Sequence, residues 1–241
     1  ILHEYTTQIL RLVAEAESKV TNVENLTTGR LTIGATPGVS TYLLPDWLYG
    51  FREQYPHLNV ALQTGVTSQN IQHVMEHKID LAIVEGELEK INRKGLGSIV
   101  LRPVMMIVVV GQGHSWDKRD SVRLSELDQQ PFITRQPDSR TRVWVDSVLA
   151  MKNVQPRIVA EFDNQEAIKQ AVMSNMGVTI LPDYAVQREL DAGLVRGLEV
   201  EDVKLNRELK LIYDETMPFT PIARALLQHL SDLFPELADL A

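Results

Sequence analysis

The pentapeptide His73-Val74-Met75-Glu76-His77 has the residue types and spacing of a metal-dependent hydrolase. On a continuous helix, two imidazoles four residues apart share one face and could hold a zinc ion, while the glutamate between them activates a bound water. Its surroundings offer a plainer reading. Ile71, Val74 and Met75 form a buried side, and Asn70, His73 and His77 fall together on a polar one. No downstream acidic helix supplies a third ligand, so a solvated face without metal is expected at His73 and His77.

Other reaction centres are poorly served. Cysteine is absent, which removes thiolate nucleophiles, disulfides and cysteine metal sites. No P-loop string occurs, and Gly95-Leu96-Gly97-Ser98 lacks the third glycine of a dinucleotide loop and precedes a strand rather than a helix. The Gly-x-Ser-x-Gly elbow of serine hydrolases is missing as well. With no acid, base or nucleophile marked, neither an enzyme nor a bound cofactor is expected.

What does recur is a polar loop between a strand and a helix. Thr36, Pro37, Gly38, Val39 and Ser40 form the first such loop, and Thr67-Ser68-Gln69-Asn70 the second. Pro137-Asp138-Ser139-Arg140-Thr141-Arg142 and Asp163-Asn164-Gln165-Glu166 repeat the arrangement later in the chain. In a parallel sheet these loops share the carboxyl-end edge, where ligands bind beside free backbone amides at helix starts. Helix capping alone is the competing explanation for each loop, since Ser, Thr, Asp and Asn cap helices everywhere. Four on one predicted edge of two units favour a binding cleft.

The elements that position these loops follow from hydrophobic periodicity. Strands are predicted at 31–35, 58–64 and 80–85, with helices at 40–54 and 68–77 between them. This β-α-β-α-β order demands a mainly parallel sheet. A second series follows, with strands at 105–110, 131–134, 157–162 and 178–181 and helices at 142–151, 164–173 and 183–192. A strand at 208–213 and an amphipathic helix at 221–234 complete the chain.

Ahead of these units, Leu2, Ile9, Ala16 and Val23 form one heptad column and Tyr5, Leu12 and Leu26 another, interrupted at Lys19 and stopped at Gly29. A narrow seam of this kind suits a dimerising helix over residues 1–28 better than a helix packed on its own domain. The chain starts at Ile1 inside this pattern, so a fragment without its natural N-terminus is expected. Net charge is −8, from 24 basic and 32 acidic residues, which leaves any nucleic-acid contact to a separate module. The longest apolar run, residues 104–110, is far too short for a membrane span, and a cytoplasmic location is expected.

The order and spacing of several short strings resemble the LysR-type transcriptional regulators over essentially the whole chain. They are Gly29-Arg30-Leu31-Thr32-Ile33-Gly34, Leu44-Pro45, Phe51-Arg52-Glu53-Gln54-Tyr55-Pro56 and Asp80-Leu81-Ala82-Ile83-Val84. Glu166-Ala167-Ile168-Lys169 and Gly177-Val178-Thr179-Ile180-Leu181-Pro182 continue the series. The resemblance implies an α/β fold of two Rossmann-like subdomains, as in type 2 periplasmic binding proteins, preceded by the linker helix. Subdomain I would comprise 29–103 and 213–241, and subdomain II 104–212.

It further implies a small-molecule effector held between the subdomains by Thr36, Gly38, Val39 and Ser40, by Ser68 and Gln69, and by Ser139, Thr141, Arg142 and Asn164. Arg135, Arg140 and Arg142 point to an anionic metabolite, which Glu166 would oppose. The implied partners are DNA, through a winged helix-turn-helix missing from this chain, and further copies in a dimer that becomes a tetramer at full length. Within the family the chain looks closest to regulators of carbon fixation or sulfur assimilation. The rival from another class is a solute-binding protein of a transport system, which would have no use for the heptad helix.

Overall fold

The structure is a computed structural model that describes residues 29–88 and 94–240, together with Thr6 and Val13. The expected dimerising helix over residues 1–28 lies outside the described residues apart from those two positions. In chain order come β1 (Arg30–Ala35), α1 (Pro37–Tyr42), α2 (Leu44–Gln54), β2 (Asn59–Thr64), α3 (Thr67–Met75), β3 (Leu81–Glu85) and β4 (Leu96–Gly111). They are followed by β5 (Ser121–Val122), β6 (Pro131–Arg135), α4 (Arg140–Met151), β7 (Arg157–Phe162), α5 (Gln165–Met173) and β8 (Thr179–Pro182). The chain closes with α6 (Asp183–Asp191), β9 (Val195–Val200), β10 (Asn206–Asp214) and α7 (Pro221–Ser231).

Two compact units result, Ile1–Arg102 with Glu208–Ala241, and Pro103–Arg207. The first crossing falls at Arg102/Pro103, one residue before the expected 103/104. The second falls at Arg207/Glu208 rather than 212/213, because residues 209–212 pair antiparallel with β3, Leu211 opposite Ile83, and so belong to the first unit.

In the first unit β1 lies between β2 and β3, parallel to both, and β10 pairs with β3 on its other side. Leu31, Ile33 and Ala35, which share one face of this central strand, are fully buried. Helix α3 sets Ile71 and Val74 against Ile79, Ala82, Val84 and Ile212, and each such aliphatic side chain stabilises by about 1.5–3 kcal/mol. Helix α7 buries Ile222, Leu226 and Leu230. Its His229 Nε2 lies 3.2 Å from the Trp47 carbonyl, which ties it to α2.

The helix expected over 40–54 is two helices. Its chain turns at Leu43, and Pro45 is the cause, since a proline lacks the amide for the helical bond and its ring crowds the carbonyl four residues back. Proline is tolerated in a first turn, so α1 starts earlier than expected, at Pro37.

In the second unit β4 is central and antiparallel to β8 and β9, β5 runs parallel to β9, and β6 runs parallel to β7. A parallel bridge between Phe132 and Val178 joins β6 to the start of β8. Ile107, Val109, Ile133, Ile168, Val172, Leu181, Val186 and Val195 form the core under α5 and α6. The sheet is therefore less uniformly parallel than expected. Strand β9 escapes a period-two reading because its buried residues, Val195 and Leu198, are three apart. Gly197 sits at its centre because a Cβ there would come 2.8 Å from Ile107 Cδ1.

Candidate functional site

Register places the polar loops. In the first unit Ala35 pairs with both Thr64 and Ile83, so the loops after β1, β2 and β3 leave one carboxyl-end edge side by side. Thr36 is fastened there by its amide to the Ile83 carbonyl at 3.3 Å, and its Oγ1 accepts the Glu85 amide at 3.3 Å. Gly38, Val39 and Ser40 are buried. Val39 is wholly buried, backbone and side chain alike.

Ser40 is spent internally: its hydroxyl donates to the Pro37 carbonyl at 3.1 Å and accepts from Thr64 Oγ1 at 2.9 Å. The pair ties the end of β2 to α1. Ser68 is half-buried and Gln69 exposed in the first turn of α3, which no side chain caps. Gln69 folds back over Gly65, where an added Cβ would stand 2.7 Å from its Oε1.

Asn70, expected in the second polar loop and on a helix's polar face, is 1 % exposed, and its Nδ2 donates to the Gly65 carbonyl at 2.8 Å. Its Oδ1 fills the space that a side chain at Gly34 would need. Asn70 therefore pins the β2–α3 loop to β1.

In the second unit Arg135 pairs with Phe162, and the loops after β6 and β7 start together. Ser139 caps α4 by accepting the Arg142 amide at 3.4 Å. Asn164 caps α5, its Oδ1 accepting the Ala167 amide at 2.8 Å while its Nδ2 donates to Asp163 at 2.8 Å. Arg142 is heavily engaged: Nε donates to Asp146 at 2.7 Å, and Nη1 donates to Glu161 at 2.7 Å and to the Arg135 carbonyl at 2.8 Å. Burial works against its charge, but the bonds to Glu161 and Asp146 outweigh that and hold the guanidinium protonated. Its role in the structure is to brace the loop.

Thr141 stands differently. Its Oγ1 accepts a 3.1 Å bond from Nη1 of Arg207, a buried arginine whose Cζ lies 5.7 Å from the centroid of the Trp144 ring. Sequence reasoning passed over both Arg207 and Trp144. Its place in β10 carries the arginine inward.

The histidine motif does not assemble. Helix α3 ends at Met75, and His77 lies beyond it with φ 53°, so the two imidazoles are not on one helical face. Glu76 is held by Gln72 at 2.8 Å and Lys78 at 2.7 Å, and His77 stands 3.7 Å from Asp214. Among the described residues no group of three His, Cys, Asp or Glu side chains is arranged to hold a metal ion. A groove of about 700 Å³ in the second unit, lined by Met105, Ile107, Gln112, Asp183, Leu190 and Glu199 among others, contains none of the candidate ligand contacts.

Two α/β units linked by two chain crossings define the class: a domain with the type 2 periplasmic binding protein-like fold. The sequence pattern of the LysR substrate binding domain matches residues 24–235, and the chain belongs to the LysR family of transcription regulators as an effector-binding domain. It is 29% identical over 237 residues to the probable RuBisCO transcriptional regulator of Nostoc sp. (strain PCC 7120), covering 97% of this chain and 70% of that protein. With the corresponding protein of Chlorokybus atmophyticus it shares 30% identity over 215 residues, 88% of this chain and 69% of the relative.

The fold matches the regulatory domain of Synechocystis PCC6803 CcmR in complex with 2-PG, with TM-score 0.76 and 23% identity over 86% of this chain and 97% of that one. It also matches the effector binding domain of QuiR in complex with shikimate, with TM-score 0.70 and 23% identity over 84% and 95%. The family match separates the chain from solute-binding proteins of transport systems.

Proposed function

We propose that this domain senses a small anionic metabolite through its carboxyl-end loops and relays the occupancy to a winged helix-turn-helix that binds DNA. The observation that carries the reading is the placement of Thr36, Ser68, Ser139 and Thr141 on carboxyl-end edges within a LysR effector-binding domain. Gly38 and Gln69 add a backbone amide and a side-chain amide, while Val39 packs beneath them and Ser40, Arg142 and Asn164 hold those loops in shape. The ligands of the two related structures, 2-PG and shikimate, are both small acids, which supports an anionic effector.

An effector changes the state of the domain only through different affinities for its alternative arrangements. The chain crossings near Pro103 and Leu209 are the hinges in this reading. The regulator acts as a homodimer, tetrameric at full length, in the cytoplasm, with neither catalysis nor a cofactor. Among the described residues no helix is long and apolar enough to cross a membrane.

Thermal unfolding with sulfate, 2-phosphoglycolate, 3-phosphoglycerate and shikimate tests the proposal. A true effector at a hundred times its Kd stabilises by about 2.7 kcal/mol, enough to raise Tm by several degrees. Thr36→Ala and Ser68→Ala should reduce that rise. If no acid shifts Tm, or if both variants respond like the parent protein, the reading fails.

A further inference from the structure

Arg207 is the last residue of the second unit and lies at the start of β10, only 6 % exposed. Thr141 and Trp144 are three residues apart on α4 and so share a face of the helix. The guanidinium rests against both, donating to the hydroxyl at 3.1 Å with its Cζ 5.7 Å from the ring centroid. Burial and the π face fix its position, so the bond to Thr141 is not one of many rotamers on a wet surface.

The consequence lies in hydrogen-bond polarity. A guanidinium has five N–H donors and no acceptor, so Thr141 Oγ1 must be the acceptor in this bond. Its own proton finds no acceptor among the described residues. Thr36 shows the same condition independently in the first unit, where the Glu85 amide occupies its oxygen. Ser40, by contrast, has already given its proton to the Pro37 carbonyl.

We propose that Arg207 is a positioning residue that presets Thr141 as a hydrogen-bond donor, selecting an effector that places an anionic carboxylate or phosphate oxygen there. This rests on the reading of Thr141 as an effector contact. An anionic oxygen is acceptor-only and meets a hydroxyl whose proton is unspent and one of whose two lone pairs is already taken by Arg207. The charge behind that hydroxyl strengthens its donation. A neutral hydroxyl on the ligand gains less, because as an acceptor of the Thr141 proton it makes a weaker bond than a charged oxygen does.

The test is calorimetric titration of the 241-residue chain, in buffer free of phosphate and sulfate, with 2-phosphoglycolate, 3-phosphoglycerate, sulfate and shikimate, and with neutral methyl shikimate and glycerol. At least one acid should bind in preference to the neutral compounds. Thr141→Val and Arg207→Met should each weaken it roughly ten- to hundredfold, and the double variant should be no weaker than the weaker single one. Thr141→Ser and Arg207→Lys, which keep a hydroxyl and a cationic donor, should stay within about tenfold of the parent chain. Arg207→Lys combined with Thr141→Val gives the same cycle if Arg207→Met does not fold.

In a Trp47→Phe/Trp116→Phe background, the acid should also change Trp144 emission, and Arg207→Met should abolish that change. Losses that multiply, Arg207→Met binding like the parent chain, or a neutral compound binding as tightly as the acids overturns the role of Arg207 and leaves the sensor reading standing. Failure of every acid to bind overturns both.

Discussion

Lys169 offers a direct test of what holds α5 against α6. Its ammonium is 4% exposed and lies 2.8 Å from Glu189 on α6 and 2.9 Å from Glu166 in its own helix. Lys169→Met keeps the apolar stem but leaves Glu189, 16% exposed, facing a site without its cation. Breaking a buried pair from one side costs about 3–5 kcal/mol. Glu189 is 16% exposed and Glu166 55%, so the lower end, about 3 kcal/mol, applies here.

For a chain of this size that corresponds to a Tm lower by roughly 6–12 °C. Removing both charges, as Lys169→Met/Glu189→Leu, should recover most of the loss, because apolar pairs of similar volume often replace buried ion pairs at little cost. Urea unfolding followed by circular dichroism reads both variants. A single-variant loss below about 1 kcal/mol, or a double variant no more stable than Lys169→Met, would refute the reasoning.

Gly34→Ala should destabilise by about 1–3 kcal/mol in the same assay, since overpacking a full core is costly; its Cβ would stand 2.4 Å from Ile79 Cδ1 and 2.5 Å from Asn70 Oδ1. Arg142→Met should lower the stability of the second unit but change effector affinity less than Thr141→Val does, because its bonds go to Glu161, Asp146 and Arg135; calorimetry on both variants decides. Glu126 is held at a pKa of about 2 by its hydrogen bonds to Arg119 and to the Arg123 amide. Its folded value is depressed from 4.5, so its contribution is present above pH 4.5 and is lost as the pH falls through about 2. Glu126→Gln should therefore lower Tm at pH 7, and by progressively less as the pH falls toward and below about 2.

Much of the fold was legible in advance. Leu31, Ile33 and Ala35 alternate in a way that marks a strand, and the strands and helices of the first unit up to β3 follow the expected order. The misses have local physical causes. Pro45 divides a helix whose apolar spacing runs straight through it. Val195 and Leu198 in β9 break the two-residue period because Gly197 faces the side chains of Ile107 and Leu190.

The candidate contacts divide in the same way. Ser139 and Asn164 announce helix starts, and both cap one. Asn70 and Arg207 carried no signal of a buried role. Each is an ordinary polar residue until tertiary packing sets it beside Gly34 or Trp144.

By itself the sequence determined the α/β class, the family and the loops that could meet a ligand, because periodicity, turn residues and motif order are local properties written along the chain. Only the tertiary structure decided which hydroxyls keep a proton to offer. Ser40 meets Thr64 from 24 residues away, Thr36 meets the Glu85 amide from 49, and Thr141 meets Arg207 from 66. A hydroxyl's direction of donation depends on what folding brings beside it, and the strands that make those meetings come from distant parts of the chain.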